Sequence, residues 1–211
     1  MAQSAARRSG SAVRMPPERR KQQLLDSAQA LVIRSGYANA TMQAVAREAG
    51  VTRPVVYEFY SDRAELLRDL LERETQKAFA LVLGMAPDPD RDEDLGAILR
   101  STLARFLSLV VSEPQTSRLL LLSPSGAPAE VRAGVEATRA VVFAAVQSYL
   151  EPLTTLPGSA ESDTELLALT FLAGSESAAR LVLKDPEQFP PERISAVVSW
   201  FISQFDLGRR Q

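Results

Sequence analysis

Apolar residues recur along most of the chain at the three- to four-residue spacing of one helix face. The first stripe predicts a helix from Pro17 to Ser35, because proline suits a first helical turn and Ser35-Gly36 is a typical stop. Its members are Leu24, Leu25, Ala28, Leu31 and Val32. Segments bearing proline or glycine separate eight further helical patterns, at about 42–49, 53–59, 63–83, 92–111, 115–121, 128–150, 161–184 and 190–207.

Strands are disfavoured throughout the chain. No alternating apolar–polar run of useful length occurs, and only 6% of the residues are aromatic, whereas strands favour aromatic and β-branched residues. We therefore predict an all-α fold of about nine helices. Gly84 and the segment Pro87-Asp88-Pro89-Asp90 form the clearest break in the pattern.

The composition excludes several kinds of active site. The 211 residues contain no cysteine and no histidine, so disulfides, thiolate or imidazole metal sites, cysteine nucleophiles and Ser-His-Asp triads are all ruled out. We expect no enzyme activity, no metal and no cofactor. The rival interpretation, a helical bundle that turns over an apolar substrate with Glu176 and Arg180, lacks the usual general base. Neither a membrane-spanning run nor a secretory signal is present, so we expect a cytoplasmic protein with no membrane contact.

The net charge of −2 hides an asymmetry between the two ends of the chain. Residues 1–60 hold nine Lys/Arg and four Asp/Glu, or 9 − 4 = +5, which leaves 15 bases and 22 acids, or −7, for the remainder. A basic N-terminal third on an acidic body indicates a head that binds a polyanion. Chance clustering of surface charge is the alternative.

The strongest functional signal lies between residues 41 and 63. Ala46, Gly50 and Val56 have the spacing of a helix-turn-helix. Ala46 is small where the second helix crosses, Gly50 can adopt the positive φ of a tight turn, and Val45 and Val56 are predicted to point inward. A small α-hairpin that only packs is the alternative interpretation of this spacing.

Two N-caps are predicted around the second helix of this motif. Thr52 precedes it, and the N-terminal side chains of that helix would enter a major groove. Asp62, with Glu65 three residues later, predicts a capping-box variant at the start of the 63–83 helix.

Residues 41–67 read TMQAVAREAGVTRPVVYEFYSDRAELL. This segment resembles the N-terminal signature of TetR-type transcriptional regulators, and the resemblance covers about residues 17–70. It implies a three-helix helix-turn-helix DNA-binding domain at 17–62, followed at 63–211 by a helical bundle that binds a ligand and forms dimers. Residues 1–16, which lack periodicity, are predicted to be a disordered basic tail.

The resemblance also implies which residues contact double-stranded operator DNA. The threonine matching Thr41 contacts a phosphate, the tyrosine matching Tyr57 reaches a phosphate or a thymine methyl, and the basic residue matching Arg63 touches the backbone. The full predicted set is Thr41, Gln43, Thr52, Arg53, Pro54, Val55, Tyr57, Tyr60 and Arg63.

The chain departs from the family pattern at two points. Pro54 stands where glycine is frequent, and Phe59-Tyr60 replaces a His-Phe pair, so Tyr60 is expected to donate where the family's histidine meets phosphate. Arg53 is the best candidate for reading a base, because an arginine can bridge the O6 and N7 acceptors of guanine. The arginines of the N-terminal tail either follow the minor groove or only solubilise the chain.

The C-terminal bundle offers weaker signals for a small-molecule effector. Glu176 and Arg180 share one helix stripe with apolar residues, which indicates either a mutual ion pair at an interface or a polar anchor in a ligand cavity. The predicted ligand-binding set is Phe106, Leu109, Leu120, Arg139, Phe143, Gln147, Glu176 and Arg180. The segment 166–183 is apolar almost all round, so we expect most of it to be buried.

The last two helices, 161–184 and 190–207, match the family's dimerisation pair in position. A stripe of Ile194, Val197, Val198, Phe201 and Phe205, with Trp200 nearby, suits a two-fold homodimer interface. The resemblance thus implies a homodimeric repressor that a hydrophobic or amphipathic ligand releases from a palindromic operator. The alternatives are an activator and a DNA-binding accessory protein without an effector.

Overall fold

The computed structural model describes residues 15–84, 95–122, 129–154 and 163–204, and in these ranges it contains nine α-helices and no strand. The helices are α1 (Pro17–Ser35), α2 (Met42–Glu48), α3 (Arg53–Tyr57), α4 (Arg63–Leu83), α5 (Leu95–Ser112), α6 (Pro114–Leu121), α7 (Ala129–Thr154), α8 (Thr164–Lys184) and α9 (Pro191–Gln204). A 3-10 turn, Tyr37–Asn39, joins α1 to α2. The predicted all-α fold is confirmed. Nearly all of the predicted basic tail lies outside the described residues.

Helix ends differ from the predicted ones by a few residues. The helix α3 ends at Tyr57 rather than at 59, and α7 continues to Thr154, past Pro152. A proline removes only one backbone donor, so in the last turn of a helix it interrupts little of the hydrogen-bond ladder. The prediction that Pro152 ends this helix is therefore wrong.

Side chains cap three of the helices. Thr41 Oγ1 accepts from the Ala44 amide at 3.2 Å, and Asp62 Oδ1 accepts from the Glu65 amide at 2.8 Å. Glu65 Oε2 in turn accepts at 2.7 Å from the amide of Ser61, one residue before the N-cap, so the predicted cap by Asp62 is confirmed and the return bond is shifted by one residue. Thr52 occupies the N-cap position of α3 as predicted, but the expected hydrogen bond from its side chain to the helix is not made.

The helices α1, α2 and α3 and the first half of α4 share one tightly closed core, which we call the head. Val45 and Val56 are completely buried and Ala46 nearly so, which confirms the predicted inward faces of the helix-turn-helix. Gly50 has a φ of +66°, a conformation that glycine adopts without steric cost and that lets the chain leave α2 and enter α3.

The head is joined to the rest of the chain, which we call the body, through α4 and α6. Leu119 of α6 and Val131 of α7 belong to the head's core cluster, and α6 packs against α1. The helices α4 and α7 cross closely at Gly134, where a Cβ atom would lie 2.7 Å from Leu71 Cδ2. The head therefore shares packed apolar surface with the body beyond residue 62.

In the body, α5 packs on α8 and α9, and α7 packs on α4 and α8. By length and composition α5 and α8 are apolar enough to cross a membrane, and in the body they pack against each other. The expectation that most of 166–183 is buried is wrong. Leu166, Leu169 and Leu181 are exposed, because only one face of α8 meets the other helices.

Candidate functional site

The helix α3 presents a polar outer face above its buried Val56. Thr52, Arg53, Pro54 and Tyr57 are exposed there. The terminal nitrogen Nη2 of Arg53 donates to Tyr57 Oη at 2.9 Å, and its guanidinium lies 5.2 Å from the tyrosine ring centroid. Because the two side chains lie one helix turn apart, they form a single hydrogen-bonding group at the protein surface.

The start of α2 adds two further exposed side chains, Thr41 and Gln43, and Val55 on α3 is half-buried. The Thr41 oxygen already accepts from its own helix, but its hydroxyl proton remains able to donate. Thr41, Gln43 and the outer face of α3 are thus the parts of the predicted DNA-contacting set that lie at the surface.

Arg63 has a structural task that the sequence did not reveal. Its Nε donates to the Ala40 carbonyl at 3.0 Å, and Nη2 donates to the Tyr37 carbonyl. The side chain therefore ties the start of α4 to the 3-10 turn before α2. A backbone contact to DNA from Arg63 would have to use the part of the guanidinium that these carbonyls leave free.

Tyr60 requires a correction, because its side chain is buried and faces the head interior. Its hydroxyl donates to Asp69 Oδ2 at 2.7 Å, and Lys21 Nζ lies 3.0 Å from the same oxygen. Burial and the bond to Asp69 raise the pKa of Tyr60. Tyr60 is therefore used in tying α4 to α1, and a phosphate contact in place of the family's histidine is incompatible with this position.

Two bases of the N-terminal third are neutralised within the head. Lys21 pairs with Asp69, and Arg34 makes a two-pronged pair with Glu48 at 2.8 and 3.1 Å. The hydrogen bond from Arg34 lowers the pKa of Glu48. Arg53 belongs to neither pair, and its side chain is exposed on α3.

A cavity of about 340 Å³ lies in the body between α4, α5, α6, α7 and α8. Its volume is at the lower end of pockets that enclose drug-sized ligands. Most of its wall is apolar, with Leu81, Phe106, Leu109, Val142 and Phe171 among the lining side chains.

Six of the eight predicted ligand-binding residues line this cavity, namely Phe106, Leu109, Leu120, Arg139, Glu176 and Arg180. Phe143 and Gln147 are not part of the lining, and that assignment is corrected. On α7 the lining residues include Val135, Arg139, Val142 and Val146, whereas Phe143 packs on another core cluster.

Arg139, Glu176 and Arg180 form a polar cluster on the cavity wall. Glu176 Oε1 lies 2.8 Å from Arg139 Nε, and Oε2 lies 2.9 Å from Arg180 Nη2. Arg180 Nε also donates to the Leu121 carbonyl at 3.1 Å. The predicted pair between Glu176 and Arg180 is confirmed, and because the pair lines the cavity the two interpretations offered for it are not exclusive.

Residues 24–70 match the family of bacterial regulatory proteins described as the tetR family. This match covers α2 and α3 together with the α1 and α4 surfaces that pack on them. This match assigns residues 24–70 to the N-terminal domain of the tetR family.

Individual relatives agree with this assignment. The HTH-type transcriptional activator FasR of Mycolicibacterium smegmatis is 29% identical over 134 residues, which span 62% of this chain and 60% of that protein. A TetR-like transcriptional regulator from Rhodococcus sp. RHA1 superposes with a TM-score of 0.71 at 22% identity, over 93% of this chain and all of the other. The regulator FadR from Bacillus subtilis, solved in complex with stearoyl-CoA, gives 0.65 at 14% identity, over 86% and 96%. At these identities the structural matches establish the fold.

The body also carries an exposed apolar face on its last two helices. Its members are Leu166, Leu169 and Leu181 on α8 and Val197, Trp200 and Phe201 on α9, and α9 has no buried residue. The predicted stripe is corrected in part, because Ile194 and Val198 turn inward and pack on the body core, while Phe205 lies outside the described residues. We call these six residues the α8–α9 face.

One buried polar contact between the cavity and the head could not be foreseen from the sequence. Thr116 lines the cavity and its hydroxyl donates to Glu74 Oε2 at 2.5 Å, although Glu74 is only 2% exposed. Glu74 Oε1 accepts from Arg73 at 2.9 Å, and Arg73 reaches Asp26 of α1 at 2.7 Å. These partners lie up to 47 residues apart, so no local spacing signals them.

Proposed function

We propose that this protein is a homodimeric, sequence-specific DNA-binding repressor that a small hydrophobic or amphipathic ligand releases from a palindromic operator. The observation that carries the proposal is the exposed pair of Arg53 and Tyr57 on a helix whose other face is locked into the head core. An exposed arginine on a rigid helix of helix-turn-helix geometry suits direct readout in a major groove.

Within this proposal each residue of the head has one of two tasks. Arg53 reads a base edge, and its contact contributes about 1–3 kcal/mol of discrimination. Thr41, Gln43 and Tyr57 position the head on phosphates or sugar, which adds affinity without reading sequence. Arg63 shares the second task with the part of its guanidinium that the Ala40 and Tyr37 carbonyls leave free, and it also holds the turn before α2 in place.

Dimer formation is supported by the α8–α9 face. Large apolar side chains on an exposed patch mark an interaction surface, and a two-fold axis through α8 and α9 would place the same patch on both partners. Two heads related by such an axis would meet half-sites about 34–36 Å apart along one side of the duplex, or a multiple of this distance.

Ligand release is supported by the position of the cavity. Its wall includes α4 and α6, and both helices also pack against α1 of the head. A ligand that binds one arrangement of α4 and α6 more tightly would bias the separation of the two heads. The ligand and DNA would then change each other's affinity by the same factor. That a neighbouring fold accommodates stearoyl-CoA is consistent with a ligand inside such a bundle.

An activator is the second candidate, because the relative FasR is named a transcriptional activator. Both candidates use the same head and the same operator geometry. Transcription of a reporter with the operator placed upstream of the promoter or across it separates them. A rise in transcription from the upstream site would establish the activator.

The test is fluorescence anisotropy against the promoter fragment beside the gene, and against sites selected from a random DNA pool, across a salt series. We expect tight binding that survives scrambled competitor, with two subunits per site. Arg53→Ala should weaken binding about 5- to 150-fold and relax the preference at one base pair per half-site. Arg63→Ala should weaken all sequences alike and lower the salt slope by about one unit.

Arg34→Ala is the matched control, since Arg34 is also an exposed head arginine but pairs with Glu48. Its affinity for DNA should stay close to that of the unmodified protein. Thermal unfolding of the Arg63 variant separates loss of the carbonyl tie from loss of a phosphate contact. Unchanged salt slopes and sequence preference in both the Arg53 and Arg63 variants would place the DNA-binding surface elsewhere.

A further inference from the structure

The polar cluster of Arg139, Glu176 and Arg180 has more donors than acceptors. Glu176 accepts from one arginine at each oxygen, and the Leu121 carbonyl takes one more donor of Arg180. Each guanidinium offers five N–H groups, so several donors are not used by these partners. The cluster combines two positive charges with one negative charge, and its unfilled capacity is for an anion.

The cluster also lies at a boundary between water and the apolar cavity. The side chains of Arg139 and Arg180 are 46% and 45% exposed, whereas Glu176 is only 14% exposed. Two half-exposed arginines thus hold a mostly buried carboxylate where α6, α7 and α8 meet. Long arginine side chains commonly place their apolar stems against an apolar wall and their charged ends in water.

The rest of the wall complements an apolar chain. Side chains from five helices contribute to it, including Val82, Phe106, Leu120, Val146 and Phe171. Of the other two acids on the lining, Glu113 is neutralised by Lys77 at 2.6 Å and Glu136 is exposed to solvent. Arg139 and Arg180 are the basic residues on the described lining of the cavity.

We propose that the cavity binds a single-chain amphiphile with an anionic head, whose tail fills the apolar interior and whose head takes donors from Arg139 and Arg180 in competition with Glu176. This inference rests on the proposed function only in treating the cavity as the effector site. It narrows the ligand from any hydrophobic or amphipathic molecule to one with a terminal carboxylate or phosphate.

The test is isothermal titration calorimetry on the full-length protein with four ten-carbon probes below their micelle concentrations. Decanoate and decyl phosphate carry the two anionic heads, decanol a neutral head and decyltrimethylammonium a cationic head. We expect either anion to bind about tenfold or more tightly than decanol, because hydrogen bonds to charged groups are the strong ones. The cation should bind most weakly. The anion that binds more tightly identifies whether the head group of the ligand is a carboxylate or a phosphate.

Variants separate the charge from the cavity itself. Arg139→Met and Arg180→Met keep the apolar stem, and each should weaken decanoate about tenfold while leaving decanol nearly unchanged. Glu176→Gln removes the competing carboxylate and should tighten decanoate several-fold. Glu136→Gln is the matched control, because it makes the same charge change on the same cavity outside the cluster and should have little effect. Thermal unfolding of each variant verifies that it is folded.

The proposal is overturned if decanol or the cation binds as tightly as the anions, if both arginine variants keep full affinity for decanoate, or if none of the probes binds. The DNA titration is independent of these results. A protein that binds its operator but none of the amphiphiles would contradict this inference and leave the regulator intact. Binding of decanoate without binding of any DNA would support this inference and contradict the proposed regulator.

Discussion

The head and the body of this protein use their apolar residues in different ways. In the head, Leu24, Ala28, Val45 and Val56 are completely buried, and polar ties such as Tyr60 to Asp69 close the remaining gaps. In the body, a cavity of about 340 Å³ interrupts the packing, and α9 has no buried residue. The comparison indicates that the apolar residues of the head are covered within the chain, whereas the body leaves apolar surface open in its cavity and on its last two helices.

The largest effect is expected from a charge on the α8–α9 face. Val197→Glu would place two unpaired carboxylates in the proposed dimer interface, each of which costs about 3–5 kcal/mol when buried without a partner. The dimer dissociation constant should rise by a factor of about 100 or more, as measured by sedimentation equilibrium. Val111→Glu is the control, since Val111 on α5 is 52% exposed, comparable to Val197 at 60%. A Val197 variant that remains as dimeric as the Val111 variant would locate the interface elsewhere.

Truncation of leucines tests whether the head is better packed than the body. Leu66 is fully buried in the head core, and Leu66→Ala should lower the free energy of unfolding by about 2–5 kcal/mol. Leu109 is half-buried beside an existing cavity, and Leu109→Ala should lower it by only about 1 kcal/mol, since fewer contacts are lost. Urea denaturation gives both values. Equal losses of free energy in the two variants would contradict the proposed difference in packing between the head and the body.

Two glycines should respond to alanine with opposite signs. Gly50 has a φ of +66° in open space, so Gly50→Ala should destabilise the head by about 1–2 kcal/mol through backbone strain alone. Gly174 lies within α8, also in open space, so Gly174→Ala should stabilise the body by about 0.5–1 kcal/mol through helix propensity. Thermal unfolding measures both. Destabilisation by the Gly174 variant would show that this side of α8 is in close contact with a partner.

The smallest effect concerns the pH dependence of the head. Burial raises the pKa of Asp69, but hydrogen bonds from Tyr60 and Lys21 outweigh it and hold the pKa below its usual value of 3.8. A lowered pKa stabilises the fold above the usual value, and this contribution is lost as the pH falls through the folded value. Asp69→Asn should therefore lower the free energy of unfolding at neutral pH by under about 1 kcal/mol, which is measured as a fall in Tm. This difference from the unmodified protein should shrink in acid.

Tyr60→Phe serves as the companion variant, because it removes one of the two donors to Asp69 and should reduce the same pH dependence in part. If the difference in the free energy of unfolding between Asp69→Asn and the unmodified protein is constant from neutral pH to below pH 3.8, the lowered pKa of Asp69 is excluded as its cause.

The amphipathic pattern by itself determined the helices and their order. Local spacing was enough for this because a helix is formed by residues three and four apart. The helix-turn-helix could be predicted for the same reason, because the small Ala46, the positive φ at Gly50 and the inward-facing Val56 all lie within one short segment. The Asp62 cap and the pair of Glu176 with Arg180 were likewise local and predictable.

Only the tertiary structure decided which side chains of those helices make contacts within the protein and which remain at the surface. Tyr60 turned inward toward Asp69, Arg63 bonded to carbonyls of a turn more than 20 residues earlier, and Arg139 joined Glu176 from another helix. Such contacts depend on how helices cross, and helical periodicity does not specify which neighbour an apolar face meets. The cavity, the buried contact between Glu74 and Thr116 and the exposed α8–α9 face therefore arise from packing between distant segments, which the order of residues along the chain does not display.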